Sequence, residues 1–164
     1  MQGYVLTVER LIAAPPAPIF EILSNADLHA RIDGSGSLQG LADGAEANRQ
    51  GKRLTLGSTF GMGMKMGVRY TTFNRVVEFE PDRRIAWQTG PEGTVGRFLA
   101  GRIWRYELEP SDGGTLVRES WDITHDHQRL LLKVGGIMPG KTRRNMQQTL
   151  ARLDAAVTGS VTAD

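Results

Sequence analysis

Arg143-Arg144-Asn145-Met146-Gln147-Gln148-Thr149-Leu150-Ala151-Arg152-Leu153-Asp154-Ala155-Ala156-Val157 is the stretch that decides the fold. Met146, Leu150, Leu153 and Val157 stand four, three and four residues apart, the spacing that puts side chains on one face of an α-helix. Arg143, Arg144, Gln147, Gln148 and Arg152 cover the other sides. The spacing therefore predicts a helix from about Pro139 to Val157 with one apolar stripe to bury, followed by a frayed tail at residues 160–164.

Upstream of this helix the period changes to two. Arg102–Glu109 and Thr115–Thr124 read as a hairpin around Ser111-Asp112-Gly113-Gly114. Thr59–Lys65, Val68–Phe79 and Ile85–Thr89 form a meander, turned at Gly67 and at Glu80-Pro81-Asp82-Arg83. Gly90 to Gly101 reads as a glycine-rich connection and Asp43–Lys52 as an exposed loop inside the domain. Further back lie a short strand at Ser37–Leu41 and the turn Asp33-Gly34-Ser35-Gly36. Val5–Ile12 alternates loosely as a first strand. Pro16 and Pro18 open a short helix with Ile19, Phe20 and Leu23 on one side, because a first-turn proline forfeits no hydrogen bond. Asn25 or Asp27 caps a second helical turn through Ile32. The predicted class is α+β: an antiparallel sheet with one face buried under the long C-terminal helix, in a single domain over residues 1–159.

The 164 residues suffice for one core that buries roughly two thirds of the unfolded surface. With no cysteine, a disulfide framework and a thiolate metal site are both excluded. The formal charge is +2 and the basic residues run along the whole chain, so no clustered footprint for nucleic acid emerges. No apolar run approaches the roughly 20 residues of a membrane span. Met1–Leu6 lacks the basic region and apolar run of a signal peptide, so a cytoplasmic location is expected.

Strand alternation selects the residues that would line a ligand site. Phe60, Met62, Met64 and Met66 share a face, and methionine suits both a core stripe and a pocket for varied apolar shapes; either reading turns them inward. Trp104, Tyr106 and Leu108 share another face, as do Ile85, Trp87 and Thr89. Tyr70, Thr72 and Asn74 align with Val76 and offer a few polar groups, either to a ligand or to an internal network. On Thr115–Thr124, an inward Trp121 takes Glu119 with it. An inward carboxylate either marks a functional site or pairs with a neighbouring arginine such as Arg105. The candidate ligand-binding set is Phe60, Met62, Met64, Tyr70, Trp87, Trp104, Tyr106, Trp121, Met138 and Met146, with Glu119 the one weak candidate for catalysis.

Other patterns carry less. Gly61-Met62-Gly63 with Gly67 echoes a dinucleotide loop, but its surroundings alternate as a strand. His125-Asp126-His127 lacks a properly spaced further ligand, so neither a metal nor another cofactor is expected. Ser35 and Ser37 lack the nucleophile elbow of a serine hydrolase. Lys141, Arg143 and Arg144 read as a solvated helix face that also suits an acidic head group.

Several segments together resemble the START-like, or SRPBCC, superfamily, which includes polyketide cyclases/dehydrases and lipid-transport proteins. They are Ala14-Pro15-Pro16-Ala17-Pro18-Ile19-Phe20, Ile32-Asp33-Gly34-Ser35-Gly36, Val77-Glu78-Phe79-Glu80-Pro81 with Arg84-Ile85-Ala86-Trp87, and Gly114-Thr115-Leu116-Val117-Arg118-Glu119-Ser120-Trp121. The resemblance, to bacterial members in particular, implies a helix-grip fold: a curved antiparallel sheet wrapped around a long C-terminal helix, with two short helices closing one end. It also implies a cavity for a hydrophobic ligand but supplies no universal catalytic residue. Binding or transport of a lipid- or polyketide-like molecule is the leading expectation, with Leu130–Gly136 as a gate hinged at paired glycines. A cyclase or dehydratase, with Glu119 as base and Tyr70 or Tyr106 as proton donor, is the second. A co-chaperone-like interaction module, with a filled core and an exposed apolar patch, is the third.

Overall fold

The structure, a computed structural model, describes residues 5–42, 53–91, 101–126 and 137–159. Its strands are β1 (Val5–Ile12), β2 (Leu38–Leu41), β3 (Thr59–Met66), β4 (Val68–Glu80), β5 (Arg84–Pro91), β6 (Arg102–Ser111) and β7 (Gly114–Asp122). The α-helices are α1 (Pro16–Leu23), α2 (His29–Ile32) and α3 (Ile137–Thr158), with a 3₁₀ turn at Ala26–Leu28. The strands form one curved antiparallel sheet in the order β1-β7-β6-β5-β4-β3-β2. Because β1 pairs with β7, the first and last strands meet and the meander spreads away from them. The expected elements are all present, with boundaries displaced by one or two residues, as helix and strand ends commonly are. The loop Asp43–Lys52, most of the Gly90–Gly101 connection, the gate Leu130–Gly136, His127, the 160–164 tail and the side chain of Met138 lie outside the described residues.

The apolar stripe of α3 is buried as its spacing predicts. Met146, Leu150 and Leu153 join one core cluster with Leu6, Val8 and Ile12 of β1, Tyr106 and Leu108 of β6, and Val117 and Trp121 of β7. Arg10, on the same face of β1 as Val8 and Ile12, reaches the helix through its Nε, which donates to Asp154 Oδ2 at 2.7 Å. From α1, Ile19, Phe20 and Leu23 close the core beside it.

The turn at Asp33–Gly36 does more than reverse the chain. Gly34 N–H donates to Thr149 Oγ1 at 2.9 Å, and an Arg152 guanidinium N–H donates to the Asp33 carbonyl. A Cβ on Gly34 would stand 2.1 Å from the Asn145 carbonyl oxygen and 2.5 Å from the Thr149 nitrogen. Only glycine lets this loop lie against the α3 backbone, so the grip on the helix is fastened here as well as by apolar packing.

The methionine stripe departs from expectation at one end. Phe60 and Met62 are buried and Met64 partly so, but Met66 stands in solvent. The last register pair of β4 with β5 among the described residues is Thr72 with Pro91, and the β3–β4 hairpin continues past it.

Candidate functional site

On the core-facing side of the central strands the register sets Tyr106 of β6 directly opposite Glu119 of β7, and Val8 of β1 opposite Glu119 from the other side. The inward placement expected for Glu119 holds: the residue is 2% exposed. Its partner, however, is not Arg105. Alternation sends Arg105 to the opposite face, where its guanidinium forks onto both oxygens of Glu78 at 3.0–3.1 Å through Nε. Glu119 instead accepts the Tyr106 hydroxyl on Oε1 at 2.9 Å. Oε2 is buried and has no hydrogen-bond partner among the described residues.

Burial disfavours the charged carboxylate and pushes the Glu119 pKa up to about 8. The Tyr106 hydrogen bond works against that rise, and the negative charge of Asp33 adds to it. Tyr106 itself is held well above the ordinary phenol range, first by burial and then by the neighbouring acid. Around neutral pH the pair is therefore a neutral carboxylic acid beside a neutral phenol, with one acid oxygen uncommitted.

Aromatic rings surround this pair. Trp87 lies 5.5 Å from Tyr106 and stacks on His29 at 4.9 Å and 22°. Phe60 meets both Trp87 and His29 edge-on. Trp104 and Trp121 lie 6.2 Å apart on adjacent strands. His29 Nε2 lies 2.8 Å from the Leu23 carbonyl oxygen; a carbonyl only accepts, so Nε2 carries the proton. Burial lowers the His29 pKa to about 4, which keeps the ring neutral. Sequence reasoning had no signal for this histidine, since a lone His in a short helix belongs to no pattern; its role emerges only from the packing of α2 onto β5.

The polar residues of the central strands are spent internally. Asn74 Nδ2 donates to the Phe60 carbonyl at 3.3 Å, and Thr89 Oγ1 donates to Asn74 Oδ1 at 2.7 Å. Thr72 Oγ1 lies 3.5 Å from the Met62 carbonyl, and Tyr70 stands exposed at the hairpin end with its hydroxyl 3.4 Å from the Met66 sulfur. Of the candidate ligand residues, the structure thus gathers Phe60, Trp87 and Tyr106 beside Glu119, with Trp104 and Trp121 next along the sheet. Met62 and Met146 belong to the same buried cluster, Met64 packs against it and Tyr70 stands apart.

A groove of about 390 Å³ opens elsewhere, between α1 and the β4–β5 turn, lined by Phe20, Leu54 and Phe79 with Glu21 and Arg53 among its polar residues. It shares no residue with the Glu119 set. Among the described residues no cluster of His, Asp or Glu could hold a metal ion, and no helix is long and apolar enough to cross a membrane.

A curved antiparallel sheet that grips a long C-terminal helix, with short helices beside it, is the helix-grip fold of the START-like class. Within it the chain belongs to the family described as polyketide cyclase/dehydrase and lipid transport, which it matches over residues 5–158. The uncharacterized protein Rv0088 of Mycobacterium tuberculosis is 30% identical over 113 residues, or 68% of this chain and 44% of that protein, so the chain spans under half the length of this relative. Protein NE0264 from Nitrosomonas europaea has a similar structure at TM-score 0.68 and 15% identity, covering 95% of each chain. The Aha1 dimer from Colwellia psychrerythraea is similar at TM-score 0.62 and 15% identity, over 94% of this chain and 96% of that one. At such identities the structural likeness speaks for the fold. The family points coarsely to hydrophobic ligands.

Proposed function

We propose that the protein binds a hydrophobic small molecule of lipid- or polyketide-like chemistry, noncovalently, between the gripping face of the sheet and α3. The observation that carries this reading is the buried Glu119 Oε2, which has no hydrogen-bond partner among the described residues. A polar atom withdrawn from water with nothing in return costs about 1–3 kcal/mol, and a ligand with one polar group would restore what was lost. The rings of Trp87, Tyr106, Trp104 and Trp121 supply the apolar area that such a ligand needs.

Native mass spectrometry of gently purified protein is expected to reveal a bound mass that denaturation releases. Added lipids or polyketides are expected to shift tryptophan emission, because all three tryptophans lie on the strands around Glu119. Protein that carries no such mass, and answers neither class of compound in emission or melting temperature, is incompatible with this reading.

The Tyr106–Glu119 hydrogen bond favours one second reading, an enzyme of cyclase or dehydratase type. Below pH 8 the role open to Glu119 is that of an acid: it would give its proton to a leaving hydroxyl or a polarised carbonyl while Tyr106 orients it. A substrate found by screening separates the readings. Glu119→Gln should retain binding but abolish turnover if Glu119 moves the proton, and unchanged turnover removes it from the reaction.

A further inference from the structure

The β3–β4 hairpin ends in Lys65-Met66-Gly67-Val68-Arg69-Tyr70, and every one of these residues is exposed. Met66, Val68 and Tyr70 are 57%, 76% and 43% exposed, and with Leu11 and Leu56 they are the exposed large hydrophobic residues among those described. The register makes them one patch: Met66 lies opposite Val68, and Met64 opposite Tyr70. Gly67 alone turns the chain, at a φ of +74°. The patch is also the outer end of the methionine stripe, which runs without a polar break on that face from buried Phe60 and Met62 through Met64 to the tip.

The other face of the same hairpin is equally unusual. Lys65 lies directly opposite Arg69. Like charges in that relation weaken a strand pair, and neither cation has an ion-pair partner among the described residues. An apolar patch in water and an unrelieved pair of cations both cost the free protein stability. One kind of partner relieves both: a surface with anionic groups over an apolar interior.

We propose that this hairpin tip docks onto an anionic lipid membrane, with Met66, Val68 and Tyr70 entering the head-group boundary and Lys65 and Arg69 meeting phosphates. Interfacial binding of this kind adds buried apolar area to attraction for anionic lipid, and a tyrosine at the edge suits the head-group level. Among the described residues Val68 to Thr71 have no register partner on β5. The proposal is independent of what the Glu119 site holds.

Flotation with vesicles tests it. The protein should float with an equal mixture of phosphatidylcholine and phosphatidylglycerol, bind phosphatidylcholine alone far more weakly, and be released as salt rises. Lys65→Ala with Arg69→Ala should lower partitioning roughly 25-fold, at about fivefold per charge. Met66→Ser with Val68→Ser should abolish flotation. All four positions are exposed, so an unchanged melting temperature shows that each variant is folded. Absence of flotation, equal binding to both vesicle types, or variants that bind like the unaltered protein overturns the proposal. So does a tip that instead joins two copies, seen as a dimer that Met66→Ser with Val68→Ser dissociates without any dependence on lipid.

Discussion

The two faces of the central sheet treat the same chemistry in opposite ways. On the solvent face, Glu78 is clasped by Arg105 and lies within 3.7 Å of Arg84, while Arg84 also reaches Glu107 at 3.0 Å. The Arg105 guanidinium holds the Glu78 carboxyl below the usual carboxylate range. On the gripping face, Glu119 has one phenol for a partner and its acid is pushed up to about 8. A single step along the pleat separates Arg105 from Tyr106, and with it a charged, ion-paired network from a neutral, half-engaged acid. Each face keeps one buried polar atom without a hydrogen-bond partner among the described residues. Arg84 Nε on the solvent face has the Glu78 counter-charge at 3.7 Å, whereas Glu119 Oε2 on the gripping face is flanked by no cation in an ion pair among the described residues.

The largest expected effect separating the faces is one of pH. Glu119 takes up its proton more tightly when folded than its ordinary value of 4.5 allows, so its contribution is complete below about pH 4.5 and is lost as pH rises through about 8. His29 runs the other way: with its pKa lowered from 6.5 to about 4, its contribution is complete above pH 6.5 and is lost as pH falls through 4. Between pH 6.5 and 8 the Glu119 slope stands clear of His29. Denaturant unfolding across that window is expected to show stability falling with pH, and Glu119→Gln is expected to remove that component. A slope unchanged in the variant breaks the contrast.

A matched pair of truncations gives a smaller effect. Tyr106→Phe leaves a buried Glu119 oxygen without its donor and should cost about 1–3 kcal/mol of unfolding free energy. Arg105→Ala cuts the corresponding contact on the solvent face, where water reaches both partners, and should cost at most about 1 kcal/mol. Equal costs would erase the distinction between the faces.

Most of the fold was legible because periodicity is a local signal. Met146, Leu150 and Leu153 mark the buried side of α3 by spacing alone, and the strand alternation around Trp121 turns Glu119 inward. What spacing does not carry is which residue meets which across strands. Arg105 and Tyr106 are neighbours in sequence, and only the β6–β7 register decides that the tyrosine reaches Glu119. Gly34 read as turn chemistry, yet its close approach to the Asn145 and Thr149 backbone depends on a helix more than a hundred residues later. Met66 looked inward by alternation, but alternation assigns a face and not how far the rest of the molecule covers it.

The central claim is that Glu119 is a neutral acid near pH 7 with an oxygen in reserve. Carbon-13 NMR of the side-chain carboxyl groups across a pH titration, with Glu119→Gln identifying its resonance, tests this most directly. The account predicts a midpoint near 8 for that resonance. A midpoint near 4.5, as for a carboxyl in water, contradicts it.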